Sequence, residues 1–312
     1  LAFNLAYGWS VHPILVVYPA EDVVIGPANH TFAWVAFAKE QCTAMVLPVS
    51  SPMPQRGARN CGTIGAWFSE PPNKEFGTPR IPHMANVAII GGSRGIGEAV
   101  ARHLVARSER VLSISRTISN HGEWIKADIS TLEGVNTVTE AAGQGILDSL
   151  LYMGGTWESN AFTSSYSFST CSDDDIARVL NVNLLAPIRI VKALLPALRK
   201  SSNPKIIFMG ALSGRDNFPS REVANTASKF GLRGVVHSLR EELRHDRISV
   251  TVINPGNVGT PEVLSDLAEI GAPATDAIPL EDLLMIIDCV LCLSRQACIK
   301  EIDVPAMSSK GA

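Results

Sequence analysis

The apolar positions of this chain follow two regimes that meet near residue 84. Before it, prolines at 13, 19, 27, 48, 52, 54, 71, 72, 79 and 82 interrupt every apolar run before it reaches helix length. Neither the 3.6-residue nor the two-residue period is sustained there. Residues 1–83 read as an extension of low structural content. Two origins stay open: sequence upstream of a natural start at Met84, or a small accessory domain. No basic stretch precedes an apolar core as in a signal peptide, and Glu21, Asp22, Glu40, Glu70 and Glu75 speak against an organellar transit peptide.

From Met84 the pattern becomes regular and predicts one domain over 84–312. Asn86–Ile90 (NVAII) is a short apolar run ending in glycines, the pattern of a strand buried on both faces. Gly95–Ala106 follows as a helix with Ile96, Ala99, Val100 and Leu104 on one face. Further strands are expected at 111–115, 124–127, 147–153, 205–209, 249–253 and 301–304. Helices are expected at 132–142, at 173–200 (two, broken or bent at Pro187), at 223–245 and at 281–294. Strand and helix alternate throughout, which predicts an α/β fold: a doubly wound parallel sheet in three αβα layers. The proline- and glycine-containing stretch 260–280 reads as a short mobile cover.

Composition narrows the function. The chain has 312 residues, 46% of them hydrophobic, enough for a sizeable core, and a net charge of -3. That balance gives no electrostatic footprint for nucleic acid or an anionic membrane, so neither is expected as a partner. No apolar run approaches the about 20 residues that span a bilayer. Among six cysteines, Cys289 and Cys292 form a C-x2-C pair, but within an apolar helical pattern without histidine. They read as buried free thiols rather than metal ligands, and no metal is expected. Nothing resembles a disulfide framework, which points to a reducing compartment and a cytoplasmic protein.

The most specific motif is the turn Gly91-Gly92-Ser93-Arg94-Gly95-Ile96-Gly97, lying between a strand and a helix. Gly91 permits a tight turn, Gly95 lets backbone approach a pyrophosphate, and Gly97 lets the helix pack closely on the strand. Ser93, Arg94 and Ile96 fill the intervening positions, and the helix N-terminus offers free N–H groups to the anion. A dinucleotide is the implied ligand. An acid at the end of the second strand would bind a ribose 2′-hydroxyl, but Ser115-Arg116 stands there, with a further cation at Arg94. Two guanidinium groups suit a 2′-phosphate, so NADP(H) is favoured over NAD(H).

Taken with further landmarks, this turn resembles that of the short-chain dehydrogenase/reductase family, and the likeness runs from Met84 to Ala312. Asp128 and Ile129 sit where that family holds the adenine ring. Tyr152-Met153-Gly154-Gly155 stands at the family's N-N-A-G segment, keeping only the final glycine. Asn183 in LNVNLLAP, Lys229 in NTASK, and the segment holding Pro255, Gly256, Val258 and Thr260 match the helix asparagine, the motif lysine and the nicotinamide-end segment.

The resemblance implies a tyrosine proton donor, a serine that polarises the carbonyl, a lysine and an asparagine. Lys229 and Asn183 are present, but the tyrosine position is Asn225 and the serine position is Ala211. Ser213 lies two residues further on and would serve only with a local shift of register. An amide donates hydrogen bonds but does not titrate near neutral pH, so Asn225 is not a general acid. The expected catalytic set is Lys229, Asn183 and Asn225, acting on a small carbonyl or enone substrate. The alternative is a catalytically inactive dinucleotide-binding sensor or partner subunit. Family members pair through helices corresponding to 184–200 and 223–245, which implies a homodimer or homotetramer.

Overall fold

A computed structural model describes residues 84–216 and 218–308. The readings made of residues 1–83 lie outside the described residues. Seven strands form one parallel sheet: β1 Asn86–Ile90, β2 Arg110–Ser115, β3 Glu123–Lys126, β4 Ser149–Tyr152, β5 Lys205–Met209, β6 Ser249–Pro255 and β7 Glu301–Val304. Their order is β3-β2-β1-β4-β5-β6-β7, so the winding reverses between β1 and β4. Ligands of open parallel sheets sit at the carboxyl ends of the strands beside such a reversal.

The helices are α1 Gly95–Ala106, α2 Leu132–Ala142, α3 Asp173–Leu180, α4 Ala186–Leu198, α5 Val223–Glu242, α6 Pro261–Glu269 and α7 Leu280–Cys292. Alternate residues of each strand feed two separate cores, as the two-residue period requires. Ala88 and Ile90 of β1 face one core with Val138 of α2, Leu194 of α4 and Val236 of α5. Val87 and Ile89 face the other with Val100 and Leu104 of α1 and Ile287 of α7. Full burial of each valine, leucine or isoleucine among them contributes about 1.5–3 kcal/mol before conformational entropy is counted.

The segment around Pro187 is not a break. Asp173–Leu198 is continuously helical over 26 residues, widened to a π turn at Asn181–Leu185. Proline has no N–H to return to the carbonyl of Asn183 and its ring crowds that turn, so the helix widens there instead of ending. An 18-residue window of that stretch has a mean hydropathy of 1.4, and the stretch is long and apolar enough by length and composition alone to cross a bilayer. Val179, Ile190, Val191 and Leu194 along it are nevertheless fully buried within the domain.

Within the stretch 260–280 lies the helix α6. Thr260 Oγ1 accepts the backbone N–H of Val263 at 3.4 Å and starts α6, with Pro261 in its first turn. Cys289 and Cys292 are exposed, not buried. Leu283, Ile287 and Val290 make the buried stripe of α7, and the helical period turns both thiols away from it.

Candidate dinucleotide and active site

The glycine turn leaves β1 with Gly91 at φ +87 and Gly95 at φ +57, a backbone region that strongly favours glycine. A Cβ on Gly91 would lie 2.7 Å from Gly154 Cα at the end of β4, and one on Gly97 would lie 2.1 Å from the Gly91 carbonyl oxygen. The turn is therefore closed against both β4 and its own helix. Arg94 is the N-cap of α1 and makes no side-chain cap, so the first N–H groups of that helix stay free of intramolecular side-chain acceptors. These are the conditions for an anion cradle. Ser93 Oγ accepts a hydrogen bond from Thr117 Oγ1 at 2.9 Å, which ties the turn to the loop after β2 that carries Arg116. Arg94 and Arg116 are both exposed.

Asp128 follows β3, and its Oδ1 accepts from the Ser130 N–H at 3.0 Å and the Ser130 hydroxyl at 2.7 Å. Partial burial raises its pKa, but those bonds and the charge of Arg116 outweigh it and hold the carboxyl below its ordinary value. Ile129 is half-buried beside it and packs on the core under α2 and α4. Pro255 closes β6 against Val304, and the Gly256 N–H donates to the Val304 carbonyl at 2.8 Å. Val258 is buried and pairs with Ile278 across the base of the α6 segment.

Asn183, Lys229 and Gly155 meet at one point. A Cβ on Gly155 would stand 3.8 Å from both Asn183 Oδ1 and Lys229 Nζ. Asn183 Oδ1 accepts the Thr156 N–H at 2.9 Å, while its Nδ2 donates to the Thr156 carbonyl at 2.7 Å and to Ser228 Oγ at 3.1 Å. Its amide is committed to fixing the loop after β4. Tyr152 supports the same corner, its hydroxyl donating to the Val182 carbonyl at 2.6 Å across the π turn. Lys229 is 8% exposed, and its Nζ donates to the Met209 carbonyl at 3.1 Å. Burial of its ammonium lowers the pKa to about 8.

Ser213 is closer to the centre than the sequence suggests. A 3₁₀ turn at Leu212–Gly214 brings its hydroxyl to 3.4 Å from Asn225 Nδ2 without any shift of strand register. Asn225 is 4% exposed. The amide and hydroxyl thus form a neutral donor pair, Asn225 at the family's tyrosine position and Ser213 two residues beyond its serine position at Ala211. Ser213 also lines a cavity of about 490 Å³ with Phe162, Phe218, Glu222 and Asn257.

Three residues that the sequence did not mark as functional surround the start of α5. Tyr166 Oη accepts the Val223 N–H at 3.2 Å, and Glu158 Oε1 accepts those of Ala224 at 2.6 Å and Asn225 at 3.2 Å. Glu222 Oε1 accepts the Phe162 N–H at 2.9 Å. Burial raises the pKa of Tyr166, with the charges of Glu158 and Glu222 acting in the same direction against the Val223 hydrogen bond. These partners lie 57 to 67 residues apart in the chain, so no local motif announces them.

The site can hold a nicotinamide dinucleotide. The open N–H groups at α1 suit its pyrophosphate, and the side-chain-free position at Gly155 leaves room for a ribose against Lys229. Comparison with known proteins agrees. The short chain dehydrogenase family profile matches residues 85–268, and the chain belongs to that family. It is 26% identical over 213 residues to short chain dehydrogenase ausX of Aspergillus calidoustus, covering 62% of this chain and 78% of that protein. It is 31% identical over 206 residues to a dehydrogenase/reductase SDR family protein 7-like of Anopheles gambiae, covering 60% and 63%. It is 30% identical over 198 residues to 3-dehydrosphinganine reductase TSC10A of Arabidopsis thaliana, covering 58% and 59%. The match thus spans less than two thirds of the length of the last two relatives. Among solved structures, a short chain dehydrogenase family protein of Francisella tularensis superposes with a TM-score of 0.61 at 22% identity, over 72% of this chain and 98% of that one. One from Shigella flexneri, complexed with NADP, gives 0.60 at 21% identity, over 70% and 96%.

Proposed function

We propose that this oxidoreductase-family chain uses NADP(H) and delivers a hydride to a small carbonyl or enone substrate through an atypical active site. The observation that carries the reading is the pairing of a complete cofactor half with a neutral donor pair. Lys229 stands against Gly155, and Asn225 stands 3.4 Å from Ser213. Bound reduced nicotinamide supplies the hydride; the protein orients it and stabilises the charge that develops on the acceptor. Conjugate reduction of an enone suits these residues. Hydride addition at the β-carbon sends an electron pair to the carbonyl oxygen, where Asn225, Ser213 and the Lys229 ammonium offer hydrogen bonds. Water then protonates the α-carbon, so no tyrosine is required.

Arg94 and Arg116 support NADP(H) over NAD(H), because both are exposed cations at the turn and at the end of β2, with no carboxylate at the latter position. The exposed Ile188 of α4 and Phe230 of α5 support self-association as a homodimer or homotetramer. A cytoplasmic location belongs to the same reading.

The second reading is a dinucleotide-binding protein without turnover, and it is favoured by the lack of a titratable acid at Asn225. NADPH oxidation with a panel of enones, quinones and ketones decides between them. Consumption with any member establishes the enzyme, and binding without consumption establishes the second reading. The double variant Ala211→Ser with Asn225→Tyr should confer carbonyl reduction if the rest of the pocket is intact.

A further inference from the structure

Strand register does not place Ser213. β5 ends at Met209, and Ser213 lies beyond it on the single 3₁₀ turn Leu212–Gly214. A turn of that length has little rigidity of its own. Its two ends are gripped from elsewhere in the fold. Upstream, a Cβ on Gly210 would lie 2.0 Å from Asn254 Oδ1, so the chain leaves β5 pressed against Asn254 of β6. Downstream, a Cβ on Gly214 would lie 2.9 Å from the Cβ of Lys229, so the turn closes directly on α5. Arg233 of α5 fixes that closure, its Nη1 donating to the Gly214 carbonyl at 2.9 Å.

These ties converge on Glu301, the first residue of β7. Its Oε1 accepts from Arg233 Nε at 2.7 Å and from Asn254 Nδ2 at 2.7 Å. Its Oε2 pairs with Nη1 of Arg215, the residue that follows the turn, at 3.0 Å. Asp303 adds a second hold on Arg215 Nε and on Asn254 Nδ2, each at 2.9 Å. Partial burial raises the pKa of Glu301, but the bonds from Arg233 and Asn254 and the two guanidinium charges outweigh it and keep the carboxyl below its ordinary value. Attaching β7 to the sheet does not call for this network, because β7 already pairs with β6 from Val252 to Pro255.

We infer that Glu301 is a positioning residue for the reaction: through Arg233, Arg215 and Asn254 it holds the Ser213 hydroxyl beside Asn225. This deepens the proposed oxidoreductase reading and rests on it for the part Ser213 plays at the acceptor oxygen. Glu301 itself touches neither substrate nor cofactor in this account.

Glu301→Gln keeps the shape of the side chain and removes one acceptor. Two donors meet at Oε1, so the amide oxygen takes that place and the NH2 faces Arg215. The probe is 4-nitrophenolate, an anion whose oxygen stands in for an enolate oxygen, titrated into the NADP⁺-saturated protein. Ser213→Ala should weaken it about tenfold or more, and Glu301→Gln about fivefold. Adding Glu301→Gln to Ser213→Ala should weaken it no further, within about twofold, because the effect passes through that hydroxyl. NADP⁺ affinity should stay within about twofold throughout. A merely structural role gives independent effects that multiply in the double variant, and that result overturns the inference. So does absence of phenolate binding to the wild type, or an unchanged affinity in either single variant. If Glu301→Gln does not fold, Arg233→Lys carries the same cycle, since one ammonium cannot span both Glu301 and the Gly214 carbonyl. Loss of folding in both assigns the network to stability alone and also overturns the inference. NADPH consumption with the enone panel is recorded on the same samples, so failure of the oxidoreductase reading shows as coupled binding without turnover.

Discussion

Replacing Lys229 by methionine should make the unliganded protein more stable. An ordinary lysine titrates at 10.5, whereas burial brings Lys229 to about 8. At pH 7 the folded state therefore carries a charged-form penalty of about 3 kcal/mol. Methionine fills similar space without the charge and forfeits the hydrogen bond to the Met209 carbonyl, worth about 1 kcal/mol. The net gain at pH 7 is about 2 kcal/mol. The penalty also sets a pH dependence. Between about 8 and 10.5 the unfolded chain holds the Lys229 proton and the folded chain does not, so wild-type stability rises with pH through that window. By pH 9.5 the penalty has fallen by about 2 kcal/mol, and the advantage of Lys229→Met should be nearly gone. Urea unfolding of both proteins at pH 7, 8.5 and 9.5 measures the difference directly, and other titrating groups cancel in it. A variant less stable than wild type at pH 7, or a gap that does not narrow as pH rises, refutes the reasoning.

Gly97→Ala should abolish NADPH binding, because its methyl carbon would stand 2.1 Å from the Gly91 carbonyl oxygen and force the turn open; fluorescence titration checks this. Arg94→Ala with Arg116→Ala should weaken NADPH about tenfold or more and leave NADH unchanged, which paired titrations with the two cofactors measure. Tyr152→Phe should cost about 1 kcal/mol or more in urea unfolding by orphaning the Val182 carbonyl at the π turn.

The glycine turn and the sheet were legible because their causes are local. Positive φ at Gly91 and Gly95 calls for glycine, and a parallel strand buried on both faces needs an unbroken apolar run such as Val87–Ile90. The α6 helix carried a readable signal that went unused: Thr260 followed by Pro261 and Glu262 is a helix start. The π turn was harder, since Pro187 announces a disturbance but not whether the helix ends or widens. Asn183 illustrates a different limit. Its place was legible, but only the folded chain shows both ends of its amide bound to Thr156. Ser213 was discounted because strand register alone points it elsewhere, and a three-residue 3₁₀ turn redirects it. Glu158 was invisible in the sequence. Its place at the start of α5 rests on contacts 66 and 67 residues away.

The central claim is that a complete cofactor site faces a reaction centre without its usual proton donor. Stopped-flow mixing of NADPH-loaded wild-type protein with an enone panel, followed by the same panel of simple ketones, tests it most directly. The account predicts saturable NADPH binding, oxidation with at least one enone, and much slower or no oxidation with the ketones. Failure to bind NADPH, or ketone reduction as fast as enone reduction, would contradict it.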